Sequence, residues 1–531
     1  MRRVFDKTLK SDLFPDQIGD YELIALTIES PKIFSGDETA PFLQKKISLD
    51  FIFENFSIYE DLYSNCLSGT ITLIDGNNLL TDFPFIGEET LYVVFRSMNT
   101  AIAIELKFRV TSISNIEKIN EETKMYTLHL ISEVALRNQK QKISMSFPKS
   151  KLSHVVAYLC EKKLGLVNEQ TVKTTDSGGY LSKNKDVNNN YYSIETTTPY
   201  IEKYIAPSLS PFRVINKLCK RNLSPSGSLF FFFQDINRFR FVSLEDIFKN
   251  KPKNDDYVKK LYYIPKDSQD KSQEFEFSWN IVYDYKVVKR FDVLQNMSRG
   301  MYSSEVSYVD IEKRKFETKS YYYQDEASKQ HHINNDGYLL TTRNSDVLHD
   351  PKNEAPATIN ELVMFHSGDP ESQDYSDHRK EMYQRRMSMQ AQLDALVVQV
   401  ELAGDSSGRL SVGDLVHFHV PRHQDTEGDL YLSGKYMVTR IHHNVSLDSK
   451  YRILVEMVTD SISTNYRFDI ADKKKSNEIG IKVNSKDLDL EREQDIVRTS
   501  ILSSEIINDY NLATRLRKLE VQLINSTNKN V

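Results

Sequence analysis

Asp414, His417, His419, His423, His442 and His443 crowd one stretch of this 531-residue sequence. Imidazoles beside a carboxylate are the usual raw material of a metal centre. Such a centre needs three or four ligands converging at fixed distances. His417 and His419 lie two apart in a strand pattern and so share a face. No firm third ligand joins them, so the expectation is histidines turned to solvent, with no metal. His331 and His332 sit in a polar loop and make a weaker case. The segment Gly428–Lys435 looks like a phosphate loop, but its spacing is one residue too long. Tyr436 also stands where Ser or Thr is needed, and the segment lies in a strand pattern. No G-x-S-x-G, H-E-x-x-H or dinucleotide fingerprint occurs. Paired carboxylates for glycoside hydrolysis converge only in space, and 75 acidic residues make some pair available by chance. The sequence thus reads as having no catalytic residue, no metal and no cofactor.

The totals narrow the class further. The length suits roughly three or four domains. With 69 Lys and Arg against 75 Asp and Glu, the net charge of −6 argues against a strongly basic nucleic-acid binder. Lys217, Lys220, Arg221 and Lys473–Lys475 read as solvated faces, because the interleaved aromatics of a single-strand platform are missing. Cys66, Cys160 and Cys219 are odd in number and far apart, which disfavours a disulfide framework and suits a reducing compartment. The first residues lack the apolar core of a signal peptide, and no run reaches the length of a membrane span.

The elements that must carry these residues are mostly strands. Between Leu396 and Asp460, four runs alternate in polarity and are separated by short turns, Asp405–Gly408 among them. That spacing predicts a small antiparallel barrel. Residues 21–145 repeat the pattern. Ile47, Leu49, Phe51 and Phe53 alternate, as do Leu67, Gly69, Ile71 and Leu73, and Ile102 through Val110. Two similar barrels follow, and Leu67–Gly69 and Leu432–Gly434 echo one another as Leu-Ser-Gly strand openings.

The remaining segments fill out a mainly β fold with α/β inserts. Residues 1–20 read as an arm. Residues 146–270 form an α/β insert, with a helix on Leu152, Val155, Val156 and Leu159 and an exposed loop at 166–195. A second helix, with Val214, Ile215, Leu218 and Cys219 inward, precedes a hairpin whose Leu229–Phe233 strand is too apolar to face water on either side. Residues 250–272 read as a charged linker within the insert's end. Residues 271–395 mix hairpins and helix, 396–463 are the second barrel, and 464–531 are a linker and a helical extension. There Leu512, Leu516, Leu519 and Leu523 recur at heptad spacing.

This order, with PFRVINKLCKRN, LFFFFQD, FRFVSL, LQNMSRGMYSSEVSYVD, LSVGDLVHFHVPR and DLYLSGKYMVTRIHH, resembles the central baseplate hub proteins of contractile-tailed bacteriophages. These are related to the late control protein D and type VI spike-hub families. The resemblance covers roughly residues 20–460. It implies two barrels of tail-tube type per subunit and a homotrimer forming a pseudo-six-fold ring. Such a ring joins a six-fold tail tube to a three-fold spike. The implied partners are a tail tube ring, a separate central spike chain and other baseplate proteins met through the helical tail. The implied place is the virion baseplate, assembled in the host cytoplasm. The type VI relatives continue into a fused spike, for which the residues after 460 are too few. Ring contacts are expected at Leu67, Ser68, Gly69, Ile71 and Leu73, at Leu432, Ser433, Gly434, Tyr436 and Val438, and at the four heptad leucines. The rival readings are a tail-associated cell-wall hydrolase and a monomeric carbohydrate-binding tail protein.

Overall fold

The computed structural model describes residues 19–30, 46–169, 190–195, 200–221, 229–249, 259–263, 280–310, 314–323, 331–334, 361–365 and 384–461, apart from a few gaps of one or two residues. The chain divides into two units, residues 1–465 and 466–531, and every described residue lies in the first. The heptad leucines Leu512, Leu516, Leu519 and Leu523 and the predicted helical extension lie outside the described residues.

Alternation builds the first half. Its strands are β1 (Tyr21–Glu29), β2 (Lys46–Ser48), β3 (Phe53–Asp61), β4 (Ser68–Asp75), β5 (Thr90–Ser97), β6 (Ile104–Lys118) and β7 (Lys124–Ser132). They pair in the order β2-β1-β5-β6-β7-β4-β3, antiparallel throughout. Ile71 and Leu73, Leu106 and Phe108, and Tyr126 and Leu128 all point inward, as period-two patterning requires. Two expected inward residues do not. Ile102 precedes β6 and is exposed, and Phe51 is 67% exposed. The chain turns between β2 and β3: the Leu49 carbonyl accepts from both Ile52 and Phe53 N–H, each at 3.1 Å. That turn swings Phe51 out while Leu49 and Phe53 stay buried. Leu49 N–H also donates to Leu26 O at 2.8 Å. One bent segment, 46–61, therefore touches both ends of the run.

The second half is a closed six-strand barrel. Its strands are β8 (Lys259–Tyr263), β9 (Ile281–Lys289), β10 (Leu396–Ala403), β11 (Leu415–His419), β12 (Gly434–Ser446) and β13 (Lys450–Thr459). The order β12-β11-β8-β9-β10-β13 closes because β13 pairs back onto β12. The sequence places this barrel between Leu396 and Asp460; the structure adds β8 from the charged stretch and β9 from the mixed region. The barrel is also not wholly antiparallel, since β8 runs parallel to both β9 and β11. A parallel neighbour needs a long crossover, which is why these strands come from distant segments.

A seven-pair ladder joins the halves, and an isolated bridge, Asp20↔Lys450, adds a second tie. β3 pairs with β4 on one side and with β12 on the other, from Asn55↔Ser446 to Asp61↔Arg440. One hydrophobic core runs through both halves, from Leu26 in β1 to Val458 in β13.

The insert packs beneath. The helix Leu152–Tyr158 widens into a π-helical turn, Leu159–Leu164, and ends at Gly165 with φ 68°, where glycine carries no Cβ penalty. The hairpin Phe230–Gln234 and Phe239–Ser243 is buried along its whole length. Phe230, Phe232, Phe239 and Phe241 enter the insert core with the helix Pro211–Arg221, while Phe231, Phe233 and Val242 enter the main core. Both faces are apolar because each serves a different core. A separate three-stranded sheet pairs Ser303–Asp310 with Lys315–Tyr322 and, in parallel, with Glu361–Phe365. A helix at 384–393 anchors it, with Gln384 Nε2 donating to Ser304 O and Lys319 O at 2.9 Å.

Candidate functional site

The polar chemistry of the described residues concentrates at the β3–β12 junction. Alternation along β12 sends His442 and His443 to opposite faces. His442 lies on the outer face. Its ring stacks on Tyr59 across the ladder, with centroids 4.6 Å apart, and its Nε2 lies 3.0 Å from Ser57 Oγ. Burial lowers the pKa of His442 below the ordinary histidine value, and neighbouring His443 adds to the shift.

His443 points inward and is 3% exposed. Its Nε2 lies 2.7 Å from Glu60 Oε1, and its Nδ1 lies 2.7 Å from the Tyr451 hydroxyl. Glu60 comes from β3 and Tyr451 from β13, so this buried relay spans the two halves. The other Glu60 oxygen, Oε2, has no hydrogen-bond partner. The Tyr451 ring meets Phe95 of β5 edge-on at 5.2 Å. Burial pushes the Tyr451 phenol well above its usual range, with the charges of Glu60 and Asp405 adding to it.

A second network ties the insert hairpin to the barrel. Arg240 donates Nε and Nη2 to the two oxygens of Glu195, each at 2.8 Å, and Nη1 to Val412 O at 3.0 Å. The fork geometry of guanidinium suits this bidentate grip. Asp414 sits 3.8 Å from Arg240 Nη1 and accepts from Lys259 Nζ and from Ser411 N–H. Burial pushes the Glu195 carboxyl up, but Arg240, Ser193 and Arg238 together outweigh it and hold the group below its ordinary range. At the hairpin turn, Asp235 Oδ1 accepts from Asn237 and Arg238 N–H at 2.8 and 2.7 Å. Burial raises its pKa to about 7; the Glu60 charge adds to the rise, and Arg240 and the two backbone N–H groups offset part of it.

A third knot pins residues 331–334 to the end of β13. His332 Nδ1 lies 2.8 Å from Asp460, and Asn334 Nδ2 donates to Thr459 Oγ1 at 3.0 Å and to Ser461 O at 2.7 Å. Among the described residues no group of three or more His, Cys, Asp or Glu could hold a metal ion. No described helix is long and apolar enough to cross a membrane.

The expected site residues fall differently. The solvent-facing reading fails for His443, which is buried in a hydrogen-bonded pair with Glu60, and His332 of the polar loop is half-buried and paired with Asp460. His331 is exposed, His417 and His419 are half-buried on β11, and His423 lies outside the described residues. The predicted ring-contact strands are not edges. β4 is flanked by β3 and β7, and β12 by β11, β13 and β3. Leu67, Gly69, Ile71, Leu73, Gly434, Tyr436 and Val438 are buried in the chain's own core, and Leu432 and Ser433 are half-buried. Their backbone groups are already paired, so no strand of another copy can add there. Ser68 alone of the set is exposed. Sequence reasoning missed Glu60, Tyr451, Arg240 and Asp235. One signal was available: Glu60 continues the inward phase of Phe56 and Ile58, a carboxylate where an apolar side chain belongs.

No family model matches the sequence, and no curated protein matches it. The structure is similar to solved phage-tail and type VI secretion proteins. A tail protein from Neisseria meningitidis aligns over 83% of this chain and 97% of its own length, at 10% identity and a TM-score of 0.47. The 43 kDa tail protein of prophage MuSo2 from Shewanella oneidensis covers 82% of this chain and 98% of its own, at 10% identity and 0.44. A component of the Escherichia coli type VI secretion system covers 77% and 73%, at 9% identity and 0.35.

Proposed function

We propose that this chain is a structural hub of a contractile phage tail baseplate. In this reading three copies form a ring that adapts a six-fold tail tube to a three-fold central spike. The observation that carries it is the β3–β12 ladder. It sets a closed six-strand barrel beside a seven-strand run whose ends both meet the segment 46–61. The first run then counts as a second barrel of the same kind, closed through that bent segment. One chain supplies two barrels, and three chains supply six. The role is one of symmetry matching, without bond-making chemistry. The spike, the tube protein and other baseplate proteins are its partners in this reading. Because β4 and β12 have no free edge, contacts between copies fall to loops and to strand flanks elsewhere. Obligate interfaces of this type bury on the order of 2,000 Å² or more.

Native mass measurement with electron-microscope class averages tests this reading. A trimeric ring with an open centre and six similar lobes is the expected result. A chain that stays monomeric when mixed with tube and spike proteins, or one that clears a peptidoglycan suspension, overturns it.

A further inference from the structure

Away from the β3–β12 junction, two stretches of the main sheet have a backbone flank that no described strand covers. The first is the end of β6. β5 accompanies β6 only as far as Thr90↔Arg109, and Val110 N–H donates to Glu89 O at 3.1 Å just beyond. From Thr111 to Lys118, β6 has β7 on one side and no described strand on the other. The second is the end of β9. β8 meets β9 only at Tyr262↔Ile281 and Tyr263↔Val282, so from Asp284 to Lys289 the only described strand beside β9 is β10. There the Asp284 carboxylate, not a neighbouring strand, accepts from Tyr285 N–H at 2.9 Å.

The two flanks hold matching places in the strand order. β9 lies three strands from β12 whichever way the closed barrel is followed. β6 lies three strands from β3 through β7 and β4, and three from β2, the other end of the bent segment, through β5 and β1. Each open flank is therefore on the side of its half opposite the junction.

An uncovered strand edge is a ready template for another chain, and proteins blunt the edges they leave in water. Bulges interrupt both flanks, between Val110 and Ser112 and between Ser114 and Glu117 on β6, and between Val287 and Lys289 on β9. Even so, Ile116 is 57% exposed on the first and Val288 is 48% exposed on the second. Glu117, Glu121 and Glu122 outnumber Lys118 and Lys124 at the β6–β7 tip, whereas Lys286 and Lys289 outnumber Asp284 on β9. An apolar centre ringed by opposite charge suits the flanks to each other better than to copies of themselves.

We propose that the β6 flank of one copy docks on the β9 flank of the next; this rests on the reading of the chain as a ring of three. A contact of β6 with β6 would be two-fold and stop at a dimer. A contact of β6 with β9 is head to tail and repeats until a ring closes. The halves then alternate around the ring, joined by β3–β12 within a copy and by β6–β9 between copies.

Ile116→Cys and Val288→Cys, singly and together in the full chain and treated with a short bismaleimide, test the proposal. The native Cys66, Cys160 and Cys219 are buried and should stay silent. The double variant should give covalent trimers on a denaturing gel, and neither single variant should give any covalent product. Trimers by native mass without this cross-link overturn the assignment of the flanks and leave the ring reading standing. Covalent dimers from Ile116→Cys alone also overturn it, since they report a two-fold contact. A chain that stays monomeric and uncross-linked when mixed with tube and spike proteins overturns both readings. Should a variant fail to fold, amide exchange of assembled against diluted wild type decides: added protection at residues 111–118 and 284–289 supports the docking, and its absence there rejects it.

Discussion

The two halves of the main sheet are made of similar strands but assembled in different ways. The first run takes all its strands from one stretch, Tyr21 to Ser132. The barrel gathers its strands from Lys259 to Thr459, with one of them parallel to both neighbours. Local antiparallel pairing costs little loop entropy, whereas the barrel must close long loops before its strands can pair. The first run is therefore the natural early structure, and the barrel the part that depends on it through β3.

The sharpest way to break this comparison is a glycine in each half. A Cβ on Gly404 would lie 2.1 Å from the Tyr451 ring, which is fully buried. Gly404→Ala should destabilise by about 3 kcal/mol or more, the upper range for overpacking. A Cβ on Gly69 would lie 2.7 Å from Ser57 O in the first run. Gly69→Ala should cost about 2 kcal/mol. With one shared core, urea melts of both variants should stay single transitions. A first run that resists protease while Gly404→Ala loosens the barrel would show two independent bodies instead.

Arg240→Met should follow closely, at about 3 kcal/mol, because it removes the bidentate partner of Glu195 and leaves Arg238, at 3.7 Å, as its remaining cation. The loss should appear as weaker protection of the hairpin in exchange experiments. Acid sensitivity should be smaller. Glu195 is held below its ordinary range, so its contribution is present above pH ~4.5 and lost as pH falls through the depressed folded value. Stability profiles between pH 3 and 6 should be flatter in Glu195→Gln than in wild type. The smallest effect belongs to the barrel surface. Arg452 pairs with Glu401 at 2.7 Å, but Arg452 is exposed and Glu401 only half-buried, so Arg452→Ala should change the unfolding free energy by less than about 1 kcal/mol.

Legibility in the sequence followed the same divide. β4, β5, β6 and β7 could be read from alternation, because each has one face in the core and one outside. β8 could not: its sequence is KKLYY in a charged stretch, and it is a strand only because β11 and β9 pair with it. The Phe230–Gln234 hairpin could be read as doubly buried, but not as serving two cores. Phe51 misled because a turn interrupts an otherwise regular pattern. The histidines misled for another reason. Sequence places His442 and His443 on opposite faces of a strand, but only the closed barrel says which face is inside. Glu60, 383 positions away from His443 in the chain, has no local reason to be its partner.

The β3–β12 ladder also has a mechanical meaning. Its seven registered pairs lie side by side along two antiparallel strands. A force sliding one half past the other along the strand direction loads all of them at once, so they cannot fail one by one as an unzipping edge does. Pulled apart at one end, the same ladder would peel. The ladder is thus stiffest to a load directed along β3, while across it the halves rely on their shared core.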